Sequence, residues 1–350
     1  MKTKVVAVIE SPFASTIIIQ EFEDFWKKKF GGEGEYKSFF QKRQEIFEKT
    51  SVAVAEYLQK ERISKPFVSE LVNVFIPMAI LVNQLAEDKR KSAGTGLVLG
   101  INGAQGSGKT TSAGLLKILF EAGFGKKVAV LSIDDLYKTF AERQEMGNTV
   151  HPLFASRGVP GTHDVALGID VITQLIQSSD QSKILIPKFS KSEQGGKGDR
   201  LPKEKWDSAN GKTDIVIFEG WCVGPKPMDS ADLEKSVPAA VAKEDPDGTW
   251  RKTSNKYLAG DYQNLFGLID HLVMFKVPGM DVVFKNREHQ EEKLREAKGK
   301  DNAMKPDQII RLVELFQLLT EHMLLTLPDT AHITIDVSDD FKFDSIRSKL

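Results

Sequence analysis

Residues Gly103-Ala104-Gln105-Gly106-Ser107-Gly108-Lys109-Thr110 carry the spacing of a loop that wraps the phosphates of a nucleoside triphosphate. Glycines at these positions let the backbone turn with positive φ and bring successive N–H groups close to the β-phosphate. Lys109 is placed to reach the β- and γ-phosphates, Thr110 to ligate Mg²⁺, and Thr111 closes the nucleotide-binding segment. The loop needs a strand before it and a helix after it, because the helix N-terminus adds favourable potential for an anion. Leu97, Val98, Leu99 and Ile101 supply the apolar run of a buried strand, and Leu115, Leu116, Leu119 and Phe120 recur at helical spacing.

Other residues able to do chemistry fall where such strands end. Leu131-Ser132-Ile133-Asp134-Asp135-Leu136-Tyr137 runs out of an apolar strand onto two carboxylates. Phosphoryl transfer depends on positioning and charge stabilisation, with a carboxylate accepting or orienting the acceptor's hydroxyl proton. Asp134, nearer the strand end, fits that role better than Asp135, although a turn cap explains either one equally well. The strand Asp214 to Phe218 ends in Glu219-Gly220-Trp221, which makes Glu219 a candidate for holding the Mg²⁺ water shell.

A third group, Arg157-Gly158-Val159-Pro160-Gly161-Thr162-His163-Asp164, precedes a helical pattern. Asp164 reads as its N-cap. The Arg157 fork suits a carboxylate or phosphate, and its flanking glycines are expected to let a ligand approach the backbone. The polar stretch from Pro187 to Lys212, with Lys188, Lys191 and the Asp199-Arg200 pair, reads as an anion-facing loop. After Gly279, Lys285, Arg287, Arg295 and Lys298 lie among glutamates; an arginine here would close over the transferring phosphate as a lid.

The positioning elements are those of a parallel sheet covered on both faces. Expected strands are Leu97 to Ile101, Val128 to Ile133, Lys183 to Ile186, Asp214 to Phe218, Leu272 to Val277 and His332 to Val337. Expected helices are Lys109 to Ala122, Val165 to Gln177, Met280 to Ala297 and Pro306 to Leu325. Before them, Tyr36, Phe39, Phe40, Phe47, Val54, Tyr57 and Leu58 repeat at helical spacing, as do Met78, Leu81, Val82 and Leu85 after Pro77, placed at a first helical position. The organisation expected is a helical extension over residues 1–95 and a nucleotide-binding domain over 96–350.

Composition narrows the partners. Among 350 residues, 48 Lys and Arg balance 49 Asp and Glu, for a net charge of −1, which argues against a nucleic-acid binder. A single cysteine, Cys222, cannot form an internal disulfide or a cysteine metal cluster and suits a reducing compartment, so the cytoplasm is expected. Met1 to Ile9 lacks the marks of a signal peptide, and Phe67 to Val82 reads as too short and too polar to cross a membrane. Oligomeric state is open.

Taken together, these segments resemble the D-glycerate 3-kinases of plant and fungal type, within the phosphoribulokinase, uridine kinase and pantothenate kinase superfamily. The resemblance covers Gly96 to Leu350. It rests on the octet at Gly103, on Ser132 to Tyr137, on Arg157-Gly158 with Gly161 to Asp164, on Lys188 to Arg200 and on Phe218 to Trp221. It implies a P-loop NTPase three-layer α/β sandwich with a central five-stranded parallel sheet and lid helices. The implied reaction uses ATP and Mg²⁺ and moves the γ-phosphate to a hydroxyl of a small acceptor, D-glycerate giving 3-phosphoglycerate. It also implies Asp134 as general base, Lys109 and Thr110 on phosphate and Mg²⁺, and Arg287 as the lid arginine. A glycerate acceptor would have its carboxylate held by Arg157, His163 or Arg200, with Tyr137 and Lys188 counted among the acceptor-facing residues. The sequence departs from the family pattern at Leu136, where phenylalanine is usual, and at Asn286, where tryptophan is usual.

Within the same superfamily the acceptor could instead be pantothenate, a nucleoside or a sugar phosphate. Outside it, a GTPase-like switch would want a guanine-reading Asn-Lys-x-Asp, whereas Asn255-Lys256-Tyr257-Leu258 lacks the aspartate. A remodelling ATPase is told apart by hydrolysis that needs no acceptor.

Overall fold

The computed structural model describes residues 20–31, 33–63, 67–235, 237–298, 304–339 and 342–350. The N-terminal run read for a signal peptide and residues 299–303, part of the glycine and lysine stretch after the lid helix, lie outside the described residues.

Apolar runs able to fill a sheet buried on both sides form its centre. The strands are β1 (Leu97–Gly103), β2 (Val128–Ser132), β3 (Lys183–Ile186), β4 (Phe189–Ser190), β5 (Asp199–Arg200), β6 (Asp207–Asn210), β7 (Ile215–Gly220), β8 (His271–Lys276), β9 (Ile333–Val337) and β10 (Phe343–Ser348). The main sheet has the order β10-β9-β8-β1-β7-β2. The five strands from β9 to β2 run parallel, as expected, and β10 adds an antiparallel edge. Register sets Glu219 beside Ser132 on one side and Ile101 on the other, which brings the ends of β2 and β7 together.

Alternation along the strands divides the core into two layers. Leu97, Leu99, Ile101, Ile215, Ile217, Val273 and Phe275 face one layer, where they meet α1 (Gln20–Lys29), α2 (Glu33–Lys60), α3 (Val68–Ala93) and α4 (Lys109–Ile118). Val98, Val216, Phe218, Leu272 and Met274 face the other. That second layer has no helix from α5 (Phe140–Thr149) in its buried set, but draws on α6 (Val165–Ile176), α7 (Ala239–Glu244), α8 (Thr249–Ala259) and α9 (Asp261–Phe266). Beyond the P-loop, α10 (Met280–Lys298) and α11 (Pro306–Thr326) close the edge through Val282, Val283, Ile309 and Val313.

Several expectations change. Lys183–Ile186 forms a strand but does not enter the main sheet; it pairs antiparallel with β6, and its alternate exposure is that of a two-stranded ribbon. The stretch from Pro187 onward is folded, with the β4–β5 hairpin and β6 inside it. Pro77 stands in the first turn of the α-helical segment Ile76–Ala93, as expected, but that segment is not where the helix starts. A wide π turn over Leu71–Phe75 leads straight into it, and Trp26 Nε1 donates to the carbonyl of Asn73 at 2.8 Å, four residues before the proline that brings no N–H. The apolar helix here is also longer than expected. At 26 residues it is long and apolar enough to cross a membrane, yet most of its apolar stretch is buried in the core.

The N-terminal helices lie against the P-loop helix itself. Tyr57 donates to the carbonyl of Thr111 at 3.3 Å, and its ring occupies the space that a Cβ on Gly114 would need.

Candidate active site

The phosphate loop has the backbone that its glycines allow. Gly106 and Gly108 lie at φ +75° and +85°, and Ser107 N–H bonds the carbonyl of Ala104 at 3.1 Å to fix the turn. Gly103 answers a different need: a Cβ there would run into the Ser107 hydroxyl. Gln105 Oε1 and Ser107 Oγ are buried without a hydrogen-bond partner, and the Lys109 ammonium has none among the described residues. The Ser107 hydroxyl and the Lys109 ammonium, donors left open this way, suit a ligand with many oxygens, whereas Gln105 Oε1 can only accept.

Beside the loop, Thr110 Oγ1 donates to Glu219 Oε1 at 3.3 Å. Glu219 is buried, its Oε2 has no partner, and Ser132, beside it in the strand register, accepts from the N–H of Asp134. Burial raises the Glu219 carboxyl above its usual range, against the pull of Lys109 and of the Ser132 and Thr110 hydroxyls. A hydroxyl and a carboxylate with an orphaned oxygen form a donor set of the hard-oxygen kind that Mg²⁺ takes with phosphates and water. No cluster of three His, Cys, Asp or Glu able to hold a metal by itself occurs among the described residues.

Asp134 stands on a 3₁₀ turn, Ile133–Leu136, capped by Ser132. Its Oδ2 lies 2.7 Å from the Lys191 ammonium. Burial works against the charged form, but Lys191, with Lys109 and His163 behind it, outweighs burial and holds the carboxyl below its usual range. The Tyr137 ring stacks on the His163 ring at 4.5 Å, and burial together with the adjacent Asp134 pushes the phenol well up. His163 is buried; burial takes its pKa down to about 4, so the ring is neutral near pH 7. Its Nδ1 is 2.6 Å from the Tyr262 hydroxyl, and its Nε2 has no partner.

Other expected residues serve the scaffold of this pocket. Lys188 is bound to Asp135 at 3.1 Å and to Asp207 at 3.2 Å, and Asp135 also accepts from the N–H of Phe189 at 3.0 Å. Asp135 therefore anchors the β4–β5 hairpin to the Asp134 turn. Arg200 joins the carbonyl of Tyr137 to Asp164, whose other oxygen caps α6 through Leu167 N–H as the sequence indicates. Arg157 donates to the carbonyls of Gly196 and Lys197 at the hairpin tip. Its neighbouring glycines do not open a path for a ligand. Gly158 and Gly161, at φ +145° and +103°, instead admit the rings of Phe316 and Tyr257, which fill the space a side chain would need.

The lid helix α10 lies over the loop. Asn286 Nδ2 donates to the carbonyl of Gly106 at 3.4 Å, and the side chain sits where a Cβ on Gly106 would be, 2.5 Å from Asn286 Cβ. Arg287 is paired with Glu291 and donates to Gln290 at 3.2 Å, with its Nε unpartnered and its charge opposed by burial and by Arg157. Asn255 is spent on Met228, accepting from its N–H and donating to its carbonyl at 2.8 Å each, so it does not present a base-reading edge.

Three residues of the pocket have roles that the sequence did not indicate. Lys191 was one lysine in a polar run, and its partner lies 57 positions away. Tyr262 sits on a helix with little periodicity to flag it. Arg143, fully buried, donates to the carbonyls of Lys138, Lys197 and Gly198 and so holds the hairpin from beneath; Thr139-x-x-Glu142, the capping box of its helix, was the available signal.

Comparison with known proteins agrees with this geometry. No family model matches the chain. It is similar to the protein named "Uncharacterized kinase mug58" of Schizosaccharomyces pombe, with 36% identity over 251 residues, 71% of this chain and 88% of that one. It is also similar to "D-glycerate 3-kinase, chloroplastic" of Arabidopsis thaliana, with 31% identity over 203 residues, 57% of this chain and 42% of the plant protein. The chain thus spans less than half the length of that relative. Among solved structures, "D-glycerate 3-kinase from Cryptococcus neoformans" superimposes with a TM-score of 0.65 at 23% identity, covering 77% of this chain and 97% of the other, and shares the fold.

Proposed function

Because this chain belongs to the D-glycerate 3-kinase-like family of P-loop kinases, we propose that it moves the γ-phosphate of ATP to a hydroxyl of a small anionic acceptor, with D-glycerate, giving 3-phosphoglycerate, as the first choice. One connected path carries the reading. Thr110 of the phosphate loop donates to Glu219, Ser132 lies beside Glu219 in the strand register and accepts from the N–H of Asp134, and this path supports Asp134 as a base near the end of the triphosphate.

Gly103 to Thr111 hold the triphosphate through main-chain N–H groups, and Lys109 stabilises the charge that builds on the transferring oxygens. Thr110 and Glu219 would hold Mg²⁺, which when bound would supply charge neutralisation for the transferring phosphate. Asp134 takes the proton of the acceptor hydroxyl, whose oxygen forms the new bond to phosphorus as the bond to the ADP oxygen breaks. Arg287, on the lid, exchanges Glu291 for the transferring phosphate when the site closes. Around the acceptor, Tyr137 and His163 form the floor, while Arg157, Lys188 and Arg200 hold the walls through the hairpin.

We read residues 96–350 as the kinase domain and 1–95 as an extension whose described helices pack on its P-loop helix. The cytoplasm is our choice of compartment, given one buried thiol, although the Arabidopsis relative is named chloroplastic. The test is a coupled ADP-release assay over D-glycerate, pantothenate, uridine and ribulose 5-phosphate. Acceptor-dependent release, greatest with glycerate, supports the reading; hydrolysis that ignores every acceptor contradicts it.

A further inference from the structure

We propose that Lys191 is the cation that recognises the anionic group of the acceptor, and that without acceptor it waits on the carboxylate of Asp134; this rests on Asp134 being the proton acceptor. The ammonium is 2.7 Å from Oδ2, on the group that must take a hydroxyl proton. A carboxylate so paired is a weaker base than a free one. Catalysis is therefore served when the ammonium leaves for another anion.

The neighbouring pair shows what a fixed bridge looks like in this pocket. Lys188 is two-thirds covered and is bound to both Asp135 and Asp207, while Asp135 is further pinned by the N–H of Phe189. Lys191, in contrast, has a side chain 63% exposed and pairs with one carboxylate that is itself 35% exposed. A half-exposed pair with a single partner holds less firmly than the covered, doubly bound Lys188 bridge and is easier to exchange.

The root of Lys191 is nevertheless rigid. Asp135 holds Phe189, Asp199 accepts from the N–H of Phe140 at 2.8 Å, and Arg200 ties the far strand to Tyr137 and Asp164. A long side chain on a fixed root can sweep the few ångströms between Asp134 and a bound acceptor without moving the hairpin. Arg157, whose hydrogen bonds go to backbone carbonyls and whose guanidinium lies over the Phe189 ring, is close enough to Arg287 for the two charges to oppose each other. Two cations that oppose each other leave a site that an entering anion completes. The ligand class that fits is a hydroxy acid or a hydroxylated phosphate ester, with its anionic group on Lys191 and its hydroxyl on Asp134.

The experiment compares wild type, Lys191→Gln and Lys191→Arg in the ADP-release assay with D-glycerate, pantothenate, ribulose 5-phosphate and uridine. For whichever anionic acceptor the wild type uses, Lys191→Gln should raise the acceptor KM roughly 10- to 100-fold, the loss expected for one charged hydrogen bond. The KM for ATP should not change, and Lys191→Arg should recover most of the affinity. An unchanged acceptor KM overturns the proposal, and so does a rise confined to the KM for ATP, which would put Lys191 on the nucleotide. Turnover of uridine alone, a neutral acceptor, also overturns it while leaving the phosphotransfer reading in place. No turnover with any of the four defeats both.

Discussion

The Tyr262 hydroxyl and His163 Nδ1 lie 2.6 Å apart, and this pair sets the tautomer of the imidazole. The phenol oxygen accepts from the N–H of Gly161 at 2.9 Å and from the N–H of His163 at 3.4 Å, which occupies both its lone pairs, so its one proton goes to Nδ1 and the ring proton to Nε2. A neutral donor thereby stands next to the Asp134 pocket. Replacing Tyr262 with Phe leaves the Gly161 N–H and Nδ1 unpaired in the core, and should destabilise the protein by about 1–3 kcal/mol in denaturant unfolding. The ¹⁵N shift of Nδ1 in the wild type should be that of an unprotonated nitrogen.

The same histidine makes acid stability measurable. Its pKa is depressed from 6.5 to about 4 by burial. The folded state favours the neutral ring, so its contribution is present above the unfolded value and is lost as pH falls from about 6.5 towards 4. The loss amounts to roughly 3 kcal/mol. Unfolding free energies of wild type and His163→Gln, compared at pH 7 and pH 4.5, should show a smaller acid loss in the variant. The pH profile of turnover should contain no histidine step near 6.5.

Asp134→Asn keeps the shape of the turn and removes the proton acceptor. Turnover should fall by roughly 10²- to 10⁴-fold, the usual worth of general base catalysis, with ATP affinity nearly unchanged in calorimetry. Full activity would take Asp134 out of this role. Lys109→Ala should cost about 3 kcal/mol of transition-state stabilisation, seen in kcat.

Glu219→Gln separates stability from activity. Because burial raises the folded pKa of this carboxyl, its contribution to stability is present below the unfolded value near 4.5 and is lost as pH rises through the folded one. At neutral pH the charge is a burden in the nucleotide-free protein. The variant should melt at the same or a higher temperature without nucleotide, yet need roughly 10- to 100-fold more Mg²⁺ for half-maximal activity. A lower melting temperature with an unchanged Mg²⁺ requirement would contradict both halves.

Gly114→Ala tests the seat of the N-terminal helices. The new methyl group meets the Tyr57 ring, and the overpacking should cost about 1–3 kcal/mol. Tyr57→Ala in the same chain should return part of that loss, which a double-mutant cycle measures.

Much of the sheet and of the phosphate loop was legible because the chemistry there is local. The run from Leu97 to Thr110 places strand, turn and helix within one stretch, and the Asp164 cap lies three residues from the N–H it satisfies. Lys183–Ile186 was legible as a strand but not as part of a ribbon, since four residues of alternating burial look alike in either setting. The glycines around Arg157 signalled close approach correctly but not the partner, which is an aromatic ring from a distant helix rather than a ligand. Lys191, Tyr262 and Arg143 belong to the site through tertiary pairing, and no spacing in the chain announces that. The length of the apolar helix was hidden by Pro77, which the π turn accommodates.

The most direct measurement is ³¹P NMR of the products when the protein is incubated with ATP, Mg²⁺ and D-glycerate. The expected result is one phosphomonoester signal growing in step with ADP, absent in Asp134→Asn. Inorganic phosphate as the sole new signal, formed equally without glycerate, would contradict transfer to an acceptor hydroxyl.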